Sequence, residues 1–168
     1  MNYIIGQALG VVSTICCLVM PLWKKKWQML VSSSIANITA ALNLIFLGEY
    51  GSAIFINLLA TVQVCVALWH LLKGKTAAKA EKFVFFAAYT GLSLVGFKGA
   101  IDILPIIGVM IYMFVAFQRD EQKSRVLILL NSAAFFIYYV LVGSTVVFAE
   151  LFAMVSSGIG LWKYRRKA

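Results

Sequence analysis

The stretch Lys82-Phe-Val-Phe-Phe-Ala-Ala-Tyr-Thr-Gly-Leu-Ser-Leu-Val-Gly-Phe-Lys98 decides how this chain folds. Fifteen uncharged residues, Phe83–Phe97, lie between its two lysines. That is short for a membrane-crossing helix, which takes about 20 apolar residues with roughly 17–25 tolerated. Taken alone, the stretch reads as a re-entrant or surface segment as readily as a span. Whether it crosses fixes the side on which everything after it lies.

Six longer apolar stretches flank it. Tyr3–Leu22, Met29–Leu47 and Ser52–Leu72 precede it, and Ile101–Phe117, Val126–Val142 and Thr145–Trp162 follow. Over 168 residues, hydrophobic side chains make up 62% and mean hydropathy is +0.93. A water-soluble core cannot hide that much apolar surface, so the composition is that of an all-α integral membrane protein.

The charge follows these stretches. Of fifteen Lys and Arg residues, fourteen fall in four clusters. These are Lys24–Lys26; Lys73, Lys75, Lys79 and Lys82; Arg119, Lys123 and Arg125; and Lys163, Arg165, Arg166 and Lys167. If all seven stretches cross, every cluster lands on one side. The other side receives the N-terminus, Glu49, Lys98, Asp102 and the Gly143-Ser144 turn. The positive-inside rule then makes the clustered side cytoplasmic. Removing the crossing at 83–97 sends Arg119–Arg125 or the C-terminal cluster to the wrong face. The expectation is therefore seven spans, with the N-terminus outside and the C-terminus in the cytoplasm.

The first stretch does not read as a cleaved signal peptide, because its charges follow it and no small-residue cleavage site ends it. The net charge of +9 punctuates span ends instead of gathering on one face, which excludes nucleic acid as the expected partner. Trp23, Trp27, Trp69 and Trp162 all sit beside basic clusters, where an interfacial aromatic belt places them.

An internal repeat accompanies the parity. Phe55-Ile-Asn57-Leu-Leu-Ala60-Thr-Val62 aligns with Phe148-Ala-Glu150-Leu-Phe-Ala153-Met-Val155, and Leu68-Trp69 then falls on Leu161-Trp162. Upstream, Leu47-Gly48 matches Val142-Gly143 and Gly10-Val11 matches Gly108-Val109. The predicted architecture is two parallel three-helix repeats joined by one linker helix. Residues 1–72 form the first repeat, 73–99 the basic loop and linker helix, and 100–168 the second repeat with its basic tail. Parallel repeats of this kind are a transporter plan, with the substrate site at the repeat interface.

The three-one-three plan resembles the SWEET sugar facilitators and the PnuC vitamin transporters of the PQ-loop clan. The local sequence is similar to a relative of those, the YgjV-type bacterial inner-membrane proteins. That resemblance rests on Ala36-Asn37 with Leu42, on Leu47-Gly48-Glu49-Tyr50-Gly51, and on Asn57-Leu58-Leu-Ala60-Thr-Val62-Gln63. It implies a bacterial inner-membrane location. It also implies that an Asn on the third helix of each unit holds substrate; Asn57 fits in the first unit, and Glu150 stands in the second. Where the clan carries a Pro-Gln hinge, this chain reads Pro21-Leu22, and Arg119 occupies the equivalent place in the second half.

Polar residues inside the spans are where chemistry must lie. Glu150 is the one acidic residue deep in a span, and intramembrane carboxylates mark pathways or tie helices together. Met154 and Ser157 share its helical face, as Thr61 and Cys65 share that of Asn57. Asn43 lies at comparable depth on the second span with Tyr138 as its mate on the sixth, and Asn37 and Asn131 lie deeper. Each Asn serves equally as interhelical glue or as a substrate contact. The expected substrate-binding set is Asn37, Asn43, Asn57, Tyr138 and Glu150, with Tyr139 adding aromatic support. A Glu150 that gains and loses a proton would link solute passage to a proton.

Gly6-x-x-x-Gly10 and the small residues Ser32–Ser34 and Ala36 predict close helix packing, within one copy or between copies of a homo-oligomer. His70 reads as interfacial. Cys16, Cys17 and Cys65 read as apolar packers. No nucleophilic triad, metal-spaced cluster or phosphate loop is present, so no enzyme, metal or cofactor is expected. The expected partners are the bilayer and a small polar solute. The expected function is facilitated or proton-linked passage of that solute, such as a sugar or vitamin-like metabolite. The alternative is a membrane-embedded accessory or signalling subunit with a dry, packed centre.

Overall fold

The structure, a computed structural model, describes residues 2–48, 52–95, 99–142 and 147–165. The expected turns at Glu49–Gly51 and Gly143-Ser144, together with Lys98, lie outside the described residues. So do Arg166, Lys167 and the side chains of Asp102 and Tyr139. The described residues form seven α-helices: α1 Asn2–Val19, α2 Lys26–Leu47, α3 Ser52–Leu72, α4 Lys79–Val95, α5 Ile103–Phe117, α6 Glu121–Val142 and α7 Val147–Lys163. Short 3₁₀ turns, Met20–Leu22 and Ala100–Asp102, follow α1 and precede α5.

Several helices begin earlier than their apolar stretches, because side chains cap them. Asp120 Oδ1 accepts the Gln122 and Lys123 amides at 2.8 and 3.1 Å, so α6 starts at Glu121, five residues before the apolar run. Glu81 reaches back to the Ala78 amide at 2.7 Å and starts α4 at Lys79. Gln28 does the same for the Lys25 amide at 3.3 Å, starting α2 at Lys26. At the other end of α2, Gly48 adopts φ +78° and returns its N–H to the Ile45 carbonyl. Only glycine takes that left-handed conformation without strain.

Among the described residues, three segments are long and apolar enough to cross a membrane: Tyr3–Leu22, Lys26–Leu47 and Ala53–Leu72. Ile103–Phe117 is a shorter apolar helix. The surface has the pattern such helices need. Phe55, Phe83, Phe114, Val140, Phe148 and Phe152 are all more than half exposed, while Ser32, Ser33, Ser124, Ser132, Ser156 and Ser157 are buried. A water-soluble fold buries its large apolar side chains; here they face outward and small residues bring the backbones together.

Along the chain, α1 packs on α2, α2 on α3, α5 on α6 and α6 on α7, whereas α4 makes much smaller contacts with α3 and α5. Between the two sets, α1 meets α7 and α3 meets α5. The α1–α2 seam carries three side-chain-to-carbonyl bonds: Asn43 to Gly6 at 2.6 Å, Ser13 to Ala36 at 2.9 Å and Ser32 to Cys16 at 2.9 Å. A Cβ on Gly10 would stand 2.9 Å from Asn43 Nδ2, so the glycine pair admits α2 within one copy.

The basic segments meet at one end of the bundle. Arg125 of α6, 1% exposed, donates from Nε to the Pro21 carbonyl at 2.8 Å and from Nη2 to the Trp23 carbonyl at 2.6 Å. Its guanidinium also stacks 4.6 Å from the Tyr164 ring, whose hydroxyl donates to the Leu22 carbonyl at 3.0 Å. Reciprocally, Lys26 at the start of α2 donates from Nζ to the Val115 carbonyl in the last turn of α5 and to Ser124 Oγ, both at 2.8 Å. Each middle helix therefore lends a cation to the other set: Lys26 meets the last turn of α5, where the helix dipole is negative, and Arg125 meets the turn that follows α1. Arg119 donates to the Lys75 carbonyl, which ties the 73–78 connection to the same end.

Candidate functional site

Away from the basic end, α2 through α7 enclose a cavity of about 500 Å³. Its lining runs from Asn37, Tyr112 and Asn131 in the interior of α2, α5 and α6 to Ala53, Pro105, Tyr138 and Glu150 near the opposite ends of α3, α5, α6 and α7. Four of the five residues expected to contact solute, Asn37, Asn57, Tyr138 and Glu150, are brought together here. Asn43 is not among them. Its amide is spent on the Gly6 carbonyl in the α1–α2 seam, so its role in this structure is helix packing. Asn131, weighed as its deeper relative, lines the cavity in its place.

Glu150 lies in the first turn of α7, where the positive end of the helix dipole faces a carboxylate. The Ser132 side chain of α6 approaches its carboxyl. Asn57 donates to the Ala53 carbonyl of its own helix at 2.8 Å, and its side-chain oxygen takes no partner among the described residues. Two lining residues also carry a buried polar atom with no partner among the described residues: Asn131 Oδ1 and Ser93 Oγ. Buried polar groups are ordinarily hydrogen-bonded, so these atoms call for water or a polar solute.

The floor of the cavity is built around a residue that the sequence did not single out. Tyr112 of α5 accepts from Asn37 Nδ2 at 2.7 Å and lies 2.6 Å from Ser33 Oγ. The available signal was a phenol in an otherwise apolar helix, since a buried tyrosine hydroxyl seeks a partner. Behind it, Met20, Met29, Val64, Val115 and Ile128 are all buried and leave a void of about 10 Å³, room for a single water at most. This apolar layer separates the cavity from the basic end. Beside it, Gln63 donates to the Met113 carbonyl at 2.9 Å and accepts from the Tyr89 hydroxyl at 2.8 Å. Both side chains are 0% exposed, and together they join α3, α4 and α5.

At the basic end, His70 in the last turn of α3 is 8% exposed, and its Nε2 contacts the Glu81 carboxylate at 3.0–3.1 Å. The Ala78 amide, and then His70, hold the Glu81 carboxyl below the usual glutamate range. A depressed carboxyl stabilises the fold fully above its ordinary pKa, and that contribution is lost as pH falls through the lowered value. Glu81→Gln is therefore expected to speed amide exchange over residues 76–82 at neutral pH. Acidification should lower the protection of the unaltered protein, relative to intrinsic exchange at each pH, toward that of the variant, as measured by hydrogen-exchange mass spectrometry. Equal rates at neutral pH would remove this role. Among the described residues no group of three His, Cys, Asp or Glu side chains is placed to hold a metal.

These features define an all-helical protein with membrane-length apolar helices around a polar-lined cavity. The family model of the Imp-YgjV bacterial inner membrane proteins matches residues 4–168, and the chain belongs to that family. No curated protein and no solved structure matches it.

Proposed function

We propose that this chain is a multi-pass transporter that carries a small polar solute across the bacterial inner membrane, as a facilitator or with a proton. The observation that carries this reading is the cavity that gathers Asn37, Asn57, Asn131, Tyr138 and Glu150, with Asn57, Asn131 and Ser93 of its lining each carrying a side-chain oxygen that has no partner among the described residues. An accessory subunit without a solute has no need of such a space, and its polar side chains would be spent on one another. The amide side chains offer donors and acceptors suited to hydroxyl- or amide-bearing solutes.

The repeat plan of the SWEET and PnuC transporters fits this reading, with residues 1–72 and 100–168 as units and α4 as linker. Helices α2 and α6 both have 22 residues. The α1–α7 and α3–α5 contacts are mates under a twofold exchange, and so is the exchange of cations between Lys26 and Arg125. In this plan the cavity faces the periplasm, while Tyr112 and the apolar layer close it toward the cytoplasm. Passage then requires the basic end to part.

Two measurements test the proposal. Reporters fused after Lys167 are expected to be active in the cytoplasm and those fused at Tyr50 or Gly143 in the periplasm; a periplasmic C-terminus would remove the seven-span plan. A thermal-shift screen of the purified protein against sugars, vitamins, nucleosides and amines is expected to find a stabilising solute whose effect Asn57→Ala abolishes. A screen with no hit that depends on Asn57 favours the accessory role.

A further inference from the structure

We propose that the pocket at the basic end of the bundle is a binding site for a phosphate-bearing anion, separate from the solute cavity. It encloses about 200 Å³ between the end of α3, the 73–78 connection, the start of α4 and the end of α5. A water occupies about 30 Å³ of liquid, so a phosphate group fits with room for its contacts. Lys26, Lys75, Lys82 and Arg119 line the pocket, and no described carboxylate does. Glu81, the closest acid in sequence, is committed to His70 and the Ala78 amide.

Lys26 is already engaged with Val115 and Ser124, but Lys75 and Lys82 form no ion pair among the described residues. Cations crowded around a concave, partly dehydrated space repel one another until an anion joins them. A second observation is independent of the charge count. His70 also lines the pocket, and its Nδ1 is buried without a hydrogen-bond partner among the described residues. With Nε2 on the Glu81 carboxylate, Nδ1 is the ring nitrogen left for a further polar partner. Lysine and arginine supply charge-assisted hydrogen bonds to phosphate. Basic pockets between helices at the cytoplasmic face take lipid phosphates in the same way. The shared chemistry is a phosphate, borne by an anionic lipid headgroup or by a soluble phosphate compound.

The two sources separate in one experiment. The purified full-length chain is titrated with inorganic phosphate in detergent, and is separately placed in nanodiscs with and without phosphatidylglycerol. Thermal unfolding is read in each case, with chloride at equal ionic strength as the reference. At least one probe is expected to raise the unfolding midpoint beyond chloride. The double variant Lys75→Gln/Lys82→Gln should weaken that effect about tenfold in apparent affinity. Lys24→Gln/Lys73→Gln removes the same charge outside the pocket and should leave it within about twofold. If the first double variant does not fold, Lys82→Gln alone is compared with Lys73→Gln. A pocket-dependent shift with inorganic phosphate assigns a soluble ligand, and one seen only with phosphatidylglycerol assigns a headgroup. The proposal is overturned if neither probe exceeds chloride, or if both kinds of variant weaken binding equally.

Discussion

Arg125→Ala is expected to destabilise the bundle by about 3 kcal/mol or more, seen as a lower thermal-unfolding midpoint in detergent. The substitution removes two charge-assisted bonds at once and leaves the Pro21 and Trp23 carbonyls with no replacement donor. It also takes away the group that stacks on Tyr164. Arg125→Lys keeps the charge but not the fork, so it should recover only part of the loss. Gly160 gives an independent check on the same contact. A Cβ there would lie 2.5 Å from the Pro21 carbonyl oxygen and 3.1 Å from Arg125 Cδ, so Gly160→Ala must push the turn off its seat. If Arg125→Ala unfolds at the midpoint of the unaltered protein, the clamp contributes nothing to stability.

The second large effect concerns Glu150. It is the one carboxylate in the cavity lining among the described residues. Under the proton-linked form of the proposed function, Glu150→Gln should keep the fold, because an amide of the same shape still meets Ser132. The pH dependence of solute uptake into proteoliposomes should disappear. Glu150→Ala should in addition weaken solute binding about tenfold, since a buried partner left alone costs roughly 1–3 kcal/mol. Ser132→Ala, which leaves the carboxyl in place, should keep a pH dependence while shifting its position. An unchanged pH profile in Glu150→Gln would leave a facilitator without proton linkage.

What could be read in the sequence depended on whether the signal was local. Helix existence followed from apolar length, and three helix starts were missed where Asp120, Glu81 and Gln28 carry capping chemistry into charged segments. Asn57 and Glu150 were singled out by aligning the two halves of the sequence, and both line the cavity. Asn43 passed the same test of depth and residue type but faces Gly6, and its orientation around the helix was decided by the glycine pair on α1. Tyr112 escaped notice because its importance lies in Ser33 and Asn37, which are 79 and 75 residues away. Lys26 and Arg125 were read as topological charges, yet both are almost wholly buried. Charge counting gives the side of the membrane on which a cation sits and nothing about the carbonyls it meets.

The exchange of cations has a consequence for synthesis. The turn after α1 leaves the ribosome long before its partner, since Arg125 follows Pro21 by 104 residues. During that interval the Pro21 and Trp23 carbonyls must borrow water or lipid headgroups. A nascent chain halted after the third helix is thus an unfinished object however well its three helices pack. Quality-control proteases that sample exposed helix ends would find it open until the sixth helix arrives.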